Sequence, residues 1–210
     1  MADPLVTIPT DDVELEGELV VPQDAEGLVV FAHGSGSSRK SPRNNYVAET
    51  LRERRLGTLL FDLLTEEEDQ IRENRFDIPL LTDRLVAATE WVREREDAGD
   101  LNLGYFGAST GAAAALRAAA RLDGDVDAVV SRGGRVDMAS EVLPSVTAPS
   151  LFIVGGADTQ VLELNREAFA KLQCEKDLSV VEGAGHLFEG PGELEEVAEL
   201  AADWFEEHLA

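Results

Sequence analysis

The stretch Leu103-Gly104-Tyr105-Phe106-Gly107-Ala108-Ser109-Thr110-Gly111 runs directly into an alanine-rich segment at 112–120. The apolar run predicts a strand, and the alanines after it predict a helix. Between them lies the motif Gly-x-Ser-x-Gly. Its two glycines, each two residues from Ser109, lack the Cβ atoms that would clash where a strand reverses directly into a helix. The same pattern also occurs in ordinary loops, but here the strand and the helix are both present. Ser109 is therefore predicted to occupy a strained turn with its hydroxyl exposed, as a nucleophile requires.

Further apolar runs and amphipathic segments alternate along the rest of the chain. Strands are predicted at 28–32, 58–61, 128–130, 151–154 and 178–181, and helices at about 44–55, 78–97, 137–143, 161–172 and 192–208. Residues 5–8 and 13–21 alternate apolar and polar side chains, which is typical of an antiparallel entry to a sheet. The acidic segment 65–76 is predicted to be a mobile loop. This pattern predicts one α/β domain over residues 1–210, with a three-layer, doubly wound, mostly parallel sheet.

The chain is strongly acidic, with 42 acidic and 18 basic residues and a formal net charge of −24. Such a surface repels nucleic acids and anionic membranes, and its self-repulsion favours a high-salt, halophilic setting. No apolar run approaches the length of a membrane helix, and the segment 1–4 lacks the features of a signal peptide, so a cytoplasmic protein is predicted. The single cysteine, Cys174, excludes an internal disulfide and a cysteine-rich metal site. Monomer and homodimer both remain open.

Polar side chains follow several of the predicted strands, and parallel strands bring such positions to one edge of the sheet. A serine nucleophile needs a base, and three histidines are available: His33, His186 and His208. His208 lies at the C-terminal end and His33 precedes a glycine loop, whereas His186 follows the last strand, where the order Ser, acid, His places the base. Asp158 directly follows its strand and is the preferred orienting acid, with Asp137 in reserve.

Backbone amides must then stabilise the negative oxygen that develops on the substrate. The Thr110 amide, at the start of the helix after Ser109, is one predicted donor of the oxyanion hole. The second is the Ser35 amide in His33-Gly34-Ser35-Gly36, where flanking glycines allow close approach to a substrate. No metal or organic cofactor is implied.

These motifs resemble those of the α/β-hydrolase superfamily: Gly-x-Ser-x-Gly at 107–111, His-Gly-Ser-Gly at 33–36, Gly-Gly-Ala-Asp at 155–158 and Gly-His at 185–186. The short chain, with no room for a cap domain, is similar to the dienelactone hydrolase-like proteins, including forms fused to phosphoribosyltransferase domains. The resemblance covers nearly the whole chain and implies an α/β-hydrolase fold. Dienelactone hydrolases proper carry a cysteine nucleophile, whereas this chain has Ser109, so the lactone substrate does not carry over.

Two basic clusters lie near the predicted catalytic edge of this otherwise acidic chain. Arg39, Lys40 and Arg43 follow the predicted oxyanion loop, and Arg132 and Arg135 follow a strand. Arg39, Arg132 and Arg135 are candidates for binding a carboxylate or phosphate on the substrate. The alternative is that these arginines pair with surface acids.

The sequence therefore predicts a serine hydrolase that cleaves a small-molecule ester or related acyl bond through an acyl-enzyme. A competing interpretation is a phosphate- or nucleotide-binding protein, because residues 34–41 differ at one position from the phosphate-loop pattern and Asp62 would hold a metal. Arg39 stands where that loop needs glycine, and Pro42 follows immediately, which argues against it. A third possibility is a hydrolase scaffold that binds without catalysis.

Overall fold

A computed structural model describes residues 4–210 of the chain. Residues 1–3, part of the segment interpreted above as lacking a signal peptide, lie outside the described residues. The strands are β1 (Leu5–Pro9), β2 (Glu14–Val20), β3 (Gly27–Ala32), β4 (Leu56–Phe61), β5 (Asn102–Ala108), β6 (Ala128–Arg132), β7 (Ser150–Gly155) and β8 (Lys176–Val181). The α-helices are α1 (Pro42–Glu53), α2 (Glu66–Asp69), α3 (Ile78–Arg93), α4 (Thr110–Arg121), α5 (Thr159–Phe169) and α6 (Glu193–Leu209).

The eight strands form one sheet in the order β1-β2-β4-β3-β5-β6-β7-β8. β1 pairs with β2 and β2 with β4 in antiparallel fashion, and every pairing from β4 to β8 is parallel. The predicted mostly parallel, doubly wound α/β sheet is confirmed. Because β3 to β8 run in the same direction, the loops after them meet at one edge.

Apolar side chains cover both faces of the sheet. On one face α3, α4 and α5 pack through residues such as Leu85, Leu116 and Ala168. On the other, α1 and α6 pack through residues such as Val47 and Phe205. The central strands β3, β4, β5 and β6 are buried almost throughout, as expected for strands covered by helices on both sides. The three predicted layers are present.

The acidic segment 65–76, predicted to be a mobile loop, contains two short helices. It forms α2 and a 3-10 helix at Arg72–Phe76. Thr65 and Glu68 form a capping box at the start of α2, and Arg75 binds the Asp69 carboxylate through two nitrogens at 2.9 and 2.8 Å. Each contact satisfies a backbone donor or neutralises a carboxylate. Composition alone shows the excess of acids but not these pairings.

The connection between β6 and β7 is short and lies close to the sheet. It contains 3-10 helices at Val136–Ala139 and Leu143–Ser145 where the sequence predicted one short helix at 137–143. Within residues 4–210 no cap domain is inserted here, as predicted. Among residues 4–210, no helix has the length and apolar character needed to cross a bilayer.

Candidate active site

Ser109 stands between β5 and α4 in a strained backbone conformation, with φ of 51° and ψ of −121°. Positive φ is costly for a residue with a side chain, so surrounding contacts must hold it. The Ser109 amide donates to the Arg132 carbonyl at 3.2 Å, and its own carbonyl accepts from the amides of Ala112 and Arg135 at 3.1 and 3.0 Å. The predicted sharp turn is therefore present and is braced from β6 as well as from α4.

The glycines on either side of Ser109 are required by packing. A Cβ atom on Gly107 would lie 2.5 Å from the Cα of Ala112, and one on Gly111 would lie 2.1 Å from the Ala32 carbonyl oxygen. Both distances are well inside van der Waals contact, so a larger residue would push α4 away from β5 or β3. The motif Gly-x-Ser-x-Gly thus allows α4 to start directly against the sheet.

Asp158 and His186 form a hydrogen-bonded pair at the same edge of the sheet. Asp158 Oδ2 lies 2.7 Å from His186 Nδ1. The loops that carry them are joined by backbone bonds, since the Ala157 amide donates to the Ala184 carbonyl at 2.9 Å. The Asp158 side chain is 16% exposed and that of His186 is 39% exposed. The carboxylate is thus shielded while the imidazole remains open to solvent, which suits an orienting acid and a base.

Gly133 lies against the His186 ring, close to the Ser109 turn. A Cβ atom on Gly133 would lie 3.4 Å from the His186 imidazole, and the carbonyl of the preceding residue, Arg132, accepts the Ser109 amide at 3.2 Å. The start of the loop after β6 therefore contacts both the Ser109 turn and His186. Within residues 4–210 the Ser109 hydroxyl makes no hydrogen bond to His186, and the ring Nε2 has no partner there. Catalytic hydrogen bonds are often long without substrate and shorten when it binds.

His33 is buried, and both of its ring nitrogens are occupied. Nε2 accepts the Leu63 amide at 3.0 Å, so the proton is on Nδ1, which donates to the Gly34 carbonyl at 2.9 Å. Burial lowers the pKa of His33 and keeps the ring neutral. His33 therefore joins the loop after β3 to the loop after β4 and has no free nitrogen to accept a proton from Ser109.

The two predicted oxyanion donors lie close together, one at the start of α4 and one in the loop after β3. Thr110 is the first residue of α4, where the amide has no acceptor within the helix. The amide of Ser35 donates no hydrogen bond to any described residue, and Ser35 and Thr110 line the same small cavity. A Cβ atom on Gly34 would lie 3.1 Å from the Ser109 Cβ. The glycine loop therefore lies in close contact with the serine turn, and the role of its Ser35 amide stays a prediction.

The three predicted substrate-binding arginines have different environments. Arg39 pairs with Asp62 and, at 2.7 Å, with Glu16. Arg135 binds Asp137 through two nitrogens, both at 2.9 Å. Arg39 and Arg135 therefore pair with acids of the protein, as the alternative interpretation expected. Asp137, the second candidate for the orienting acid, is engaged by Arg135. Arg132 contacts no carboxylate among the described residues.

The phosphate-loop alternative receives no support from residues 34–42. The Ser41 hydroxyl caps α1 by accepting the Asn44 amide at 3.4 Å, whereas a phosphate loop would direct it to a metal. Asp62 accepts both the amide and the guanidinium of Arg39. Ser41 and Asp62, the residues that would hold the metal, are thus committed to contacts within the protein.

One contributor to the site, Gly133, was not identified from the sequence, and one contact, between Arg43 and Arg132, was not predicted. Gly133 lies against the His186 ring, and the charge of Arg43 acts on Arg132. The position of Gly133 directly after a strand on the catalytic edge is a signal that was available. The approach of Arg43 to Arg132 depends on the packing of α1, which no local pattern shows.

Comparison with known proteins identifies the family and the fold. The model of the family described as "Dienelactone hydrolase family" matches residues 48–209. A dienelactone hydrolase of Anabaena variabilis is 53% identical and superposes with a TM-score of 0.96, covering 98% of this chain and 97% of that one. Est1E of Butyrivibrio proteoclasticus, 16% identical, superposes with a TM-score of 0.84 over 97% of this chain and 98% of its own, and shares the fold.

Curated relatives from Mycobacterium tuberculosis are 56% identical over 209 residues and carry a provisional name as phosphoribosyl transferases. The match covers all of this chain and 47% of each relative, so the chain spans about half the length of the curated relatives it matches. The resemblance inferred from the motifs is confirmed by the family match, by the fold and by the 53% identical structure. The chain belongs to the dienelactone hydrolase family.

Proposed function

We propose that the protein is a serine hydrolase that cleaves a carboxylic ester or a related acyl bond of a small molecule through an acyl-enzyme. The observation that carries this proposal is the Asp158–His186 pair, 2.7 Å apart, at the edge where the strained Ser109 turn projects. Strain at a non-glycine residue that the surrounding structure holds in place is typical of a functional site. Membership of a hydrolase family supports the same chemistry.

In the proposed first half-reaction, Ser109 Oγ attacks the acyl carbon while His186 Nε2 takes the hydroxyl proton. A bond forms between Oγ and the acyl carbon, and the carbonyl π electrons move to the oxygen. When the oxyanion collapses, the bond to the leaving alkoxide breaks, and the imidazolium returns its proton to that oxygen. Asp158 holds the proton of Nδ1 in place and stabilises the imidazolium meanwhile.

In the second half-reaction, water replaces the serine hydroxyl as the attacking group. His186 takes a proton from water, the hydroxide oxygen bonds to the acyl carbon, and the ester bond to Oγ breaks. The proton held by His186 returns to Ser109, and a carboxylic acid leaves. The amides of Ser35 and Thr110 receive the oxyanion in both halves, since each lacks an acceptor of its own among the described residues.

The provisional transferase name of the longer relatives describes a different chemistry from the one proposed here. Transfer of a phosphoribosyl group needs residues that hold a pyrophosphate, and the one phosphate-loop-like segment of this chain is engaged by Asp62 and by the cap of α1. We propose that the named transfer activity belongs to the half of the relatives that this chain does not match. The hydrolase chemistry belongs to the half that it does match.

Hydrolysis of 4-nitrophenyl esters of increasing acyl length tests this proposal. The unchanged protein is expected to release nitrophenolate with saturation kinetics, and Ser109→Ala is expected to lose at least about 10⁴-fold in kcat. Ser145→Ala, at an exposed position outside the catalytic edge, is the matched control and should keep full activity. Equal rates for Ser109→Ala and the unchanged protein would overturn the proposal.

A further inference from the structure

Arg132 is a buried cation without an anion. It is 9% exposed, its Nε and Nη1 atoms are buried without hydrogen-bond partners, and its Nη2 lies 3.5 Å from the Asn44 side-chain oxygen. Burial and, to a smaller extent, the charge of Arg43 lower the pKa of Arg132 to about 10. The guanidinium therefore remains charged at neutral pH. A charge in this position is costly unless a partner of opposite sign accompanies it.

The other buried arginine of the described chain shows what is missing. Arg84 is as well buried as Arg132, and it binds the Glu68 carboxylate at 2.7 Å. The chain has 42 acidic residues, so a carboxylate opposite Arg132 would be readily supplied. Its absence among residues 4–210 indicates that the partner of Arg132 comes from outside the chain.

Arg43, in the first turn of α1, provides a second positive charge at the same place. Its Nε is buried without a partner, while its side chain as a whole is 34% exposed. The Glu189 carboxylate lies 3.9 Å away at the limit of an ion pair and is 74% exposed, so it is weakly held. Arg43 is therefore open to an incoming anion, which would displace Glu189.

We propose that Arg132 and Arg43 bind a phosphate monoester group carried by the substrate. Two guanidinium groups match the two charges of a phosphate monoester, and their forked N–H donors suit its oxygens. The Arg132 carbonyl accepts the Ser109 amide at 3.2 Å, so the residue that carries this guanidinium is joined directly to the serine turn. The assignment of this anion site to a substrate, as opposed to a separate ligand, rests on the proposed hydrolase function.

Calorimetric titration of inorganic phosphate into the Ser109→Ala protein tests the anion site without any turnover. Ionic strength is held constant with KCl, because a surface of this charge responds to salt. Phosphate is expected to bind, and Arg132→Met is expected to weaken binding at least tenfold, with a smaller loss for Arg43→Gln. Arg135→Gln is the matched control, since Arg135 is paired with Asp137, and it should leave phosphate affinity unchanged.

Three results would overturn this proposal. They are no phosphate binding, equal affinity in Arg132→Met, and tighter binding of succinate than of phosphate. Arg132→Met should fold at least as stably as the unchanged chain, because it replaces an unpaired buried charge by an apolar side chain. If it does not fold, Arg132→Lys, which keeps the charge but loses the fork, should still weaken phosphate binding.

Inhibition kinetics then decide whether the site belongs to the substrate. Inorganic phosphate is expected to inhibit hydrolysis of 4-nitrophenyl acetate competitively in the unchanged protein, and Arg132→Met should raise the inhibition constant at least tenfold. Phosphate that binds by calorimetry without inhibiting would overturn the substrate assignment. Because the titration uses an inactivated protein, failure of the hydrolase proposal and failure of the anion site are seen separately.

Discussion

His33 and His186 stand at the same edge of the sheet, each just beyond a strand, yet their environments are opposite. His33 is buried and uses both ring nitrogens, one to accept the Leu63 amide and one to donate to the Gly34 carbonyl. His186 is 39% exposed and uses one nitrogen, which lies 2.7 Å from Asp158. A histidine that can move a proton needs one ring nitrogen held and the other free. Position in the fold makes both histidines candidates, and only His186 keeps the free ring nitrogen that the proposed mechanism requires.

The largest effect that separates the two histidines is expected from His186→Ala. Removing the base should lower kcat for ester hydrolysis by about four to six orders of magnitude. The melting temperature should hardly change, since the ring is partly exposed and makes one side-chain hydrogen bond. His208→Gln is the control and should leave kcat unchanged. His208 lies in the last turn of α6, where its Nδ1 donates to the Trp204 carbonyl. Stopped-assay rates combined with thermal melts measure both quantities.

Asp158→Asn sharpens the comparison by changing only what holds His186. An amide preserves the size of the side chain but no longer favours the proton on Nδ1, so kcat is expected to fall by about 10⁴. The same substitution at Asp137, which binds Arg135, should have a far smaller effect. Similar losses at both positions would show that the acid had been assigned incorrectly.

His33→Ala should affect stability first and activity second. It leaves the buried Leu63 amide without its acceptor and opens a cavity, at a cost of about 2–4 kcal/mol in the free energy of unfolding. The loop that carries the Ser35 amide would also lose its anchor, so kcat should fall by about 10-fold to 100-fold. Urea unfolding and steady-state kinetics on the same preparation separate the two effects. A loss of kcat as large as that of His186→Ala would contradict the difference drawn between the two rings.

The pH dependence of stability provides a further contrast. Because burial lowers the pKa of His33 in the folded protein, the unfolded chain binds this proton first as pH falls. The contribution of His33 to stability is therefore fully present above its ordinary pKa of about 6.5 and is lost progressively as pH falls below that value. Unfolding free energies between pH 7 and pH 5 should decline more steeply for the unchanged protein than for His33→Gln, which cannot titrate. Parallel curves would contradict this.

Salt is expected to raise the melting temperature equally whether or not His33 is present, so it gives the smallest difference of this series. A net charge of −24 repels itself, so raising KCl from low to molar concentration should raise the melting temperature by about 5 °C, or roughly 2 kcal/mol. The shift should be the same in His33→Gln, since screening acts on exposed charges and His33 is buried. A melting temperature that does not rise with salt would remove the halophilic interpretation of the composition.

Much of the architecture was predictable because it depends on local patterns. Apolar runs and the Gly-x-Ser-x-Gly turn predicted the central strands and the position of Ser109, and the order of strands then brought Asp158 and His186 to the same edge. The prediction of a loop at 65–76 was wrong because the two short helices there are held by ion pairs. Arg75 binds Asp69 within the segment, and Arg84 binds Glu68 from α3.

The arginines near the candidate site also depend on contacts that local sequence patterns do not show. Sequence placed Arg39, Arg132 and Arg135 near the catalytic edge but gave no means of telling which would be paired. Pairing depends on where Glu16, Asp62 and Asp137 point, and this is known only once the chain is folded. The unpaired state of Arg132 was therefore visible only in three dimensions.

The central claim is that Ser109 is a nucleophile activated by His186. A fluorophosphonate probe reacts covalently with such serines, and peptide mass spectrometry locates the modified residue. We expect a single adduct on the peptide that contains Ser109, no adduct in Ser109→Ala, and labelling slowed by orders of magnitude in His186→Ala. Labelling of another residue, or equal labelling of Ser109 with and without His186, would contradict it.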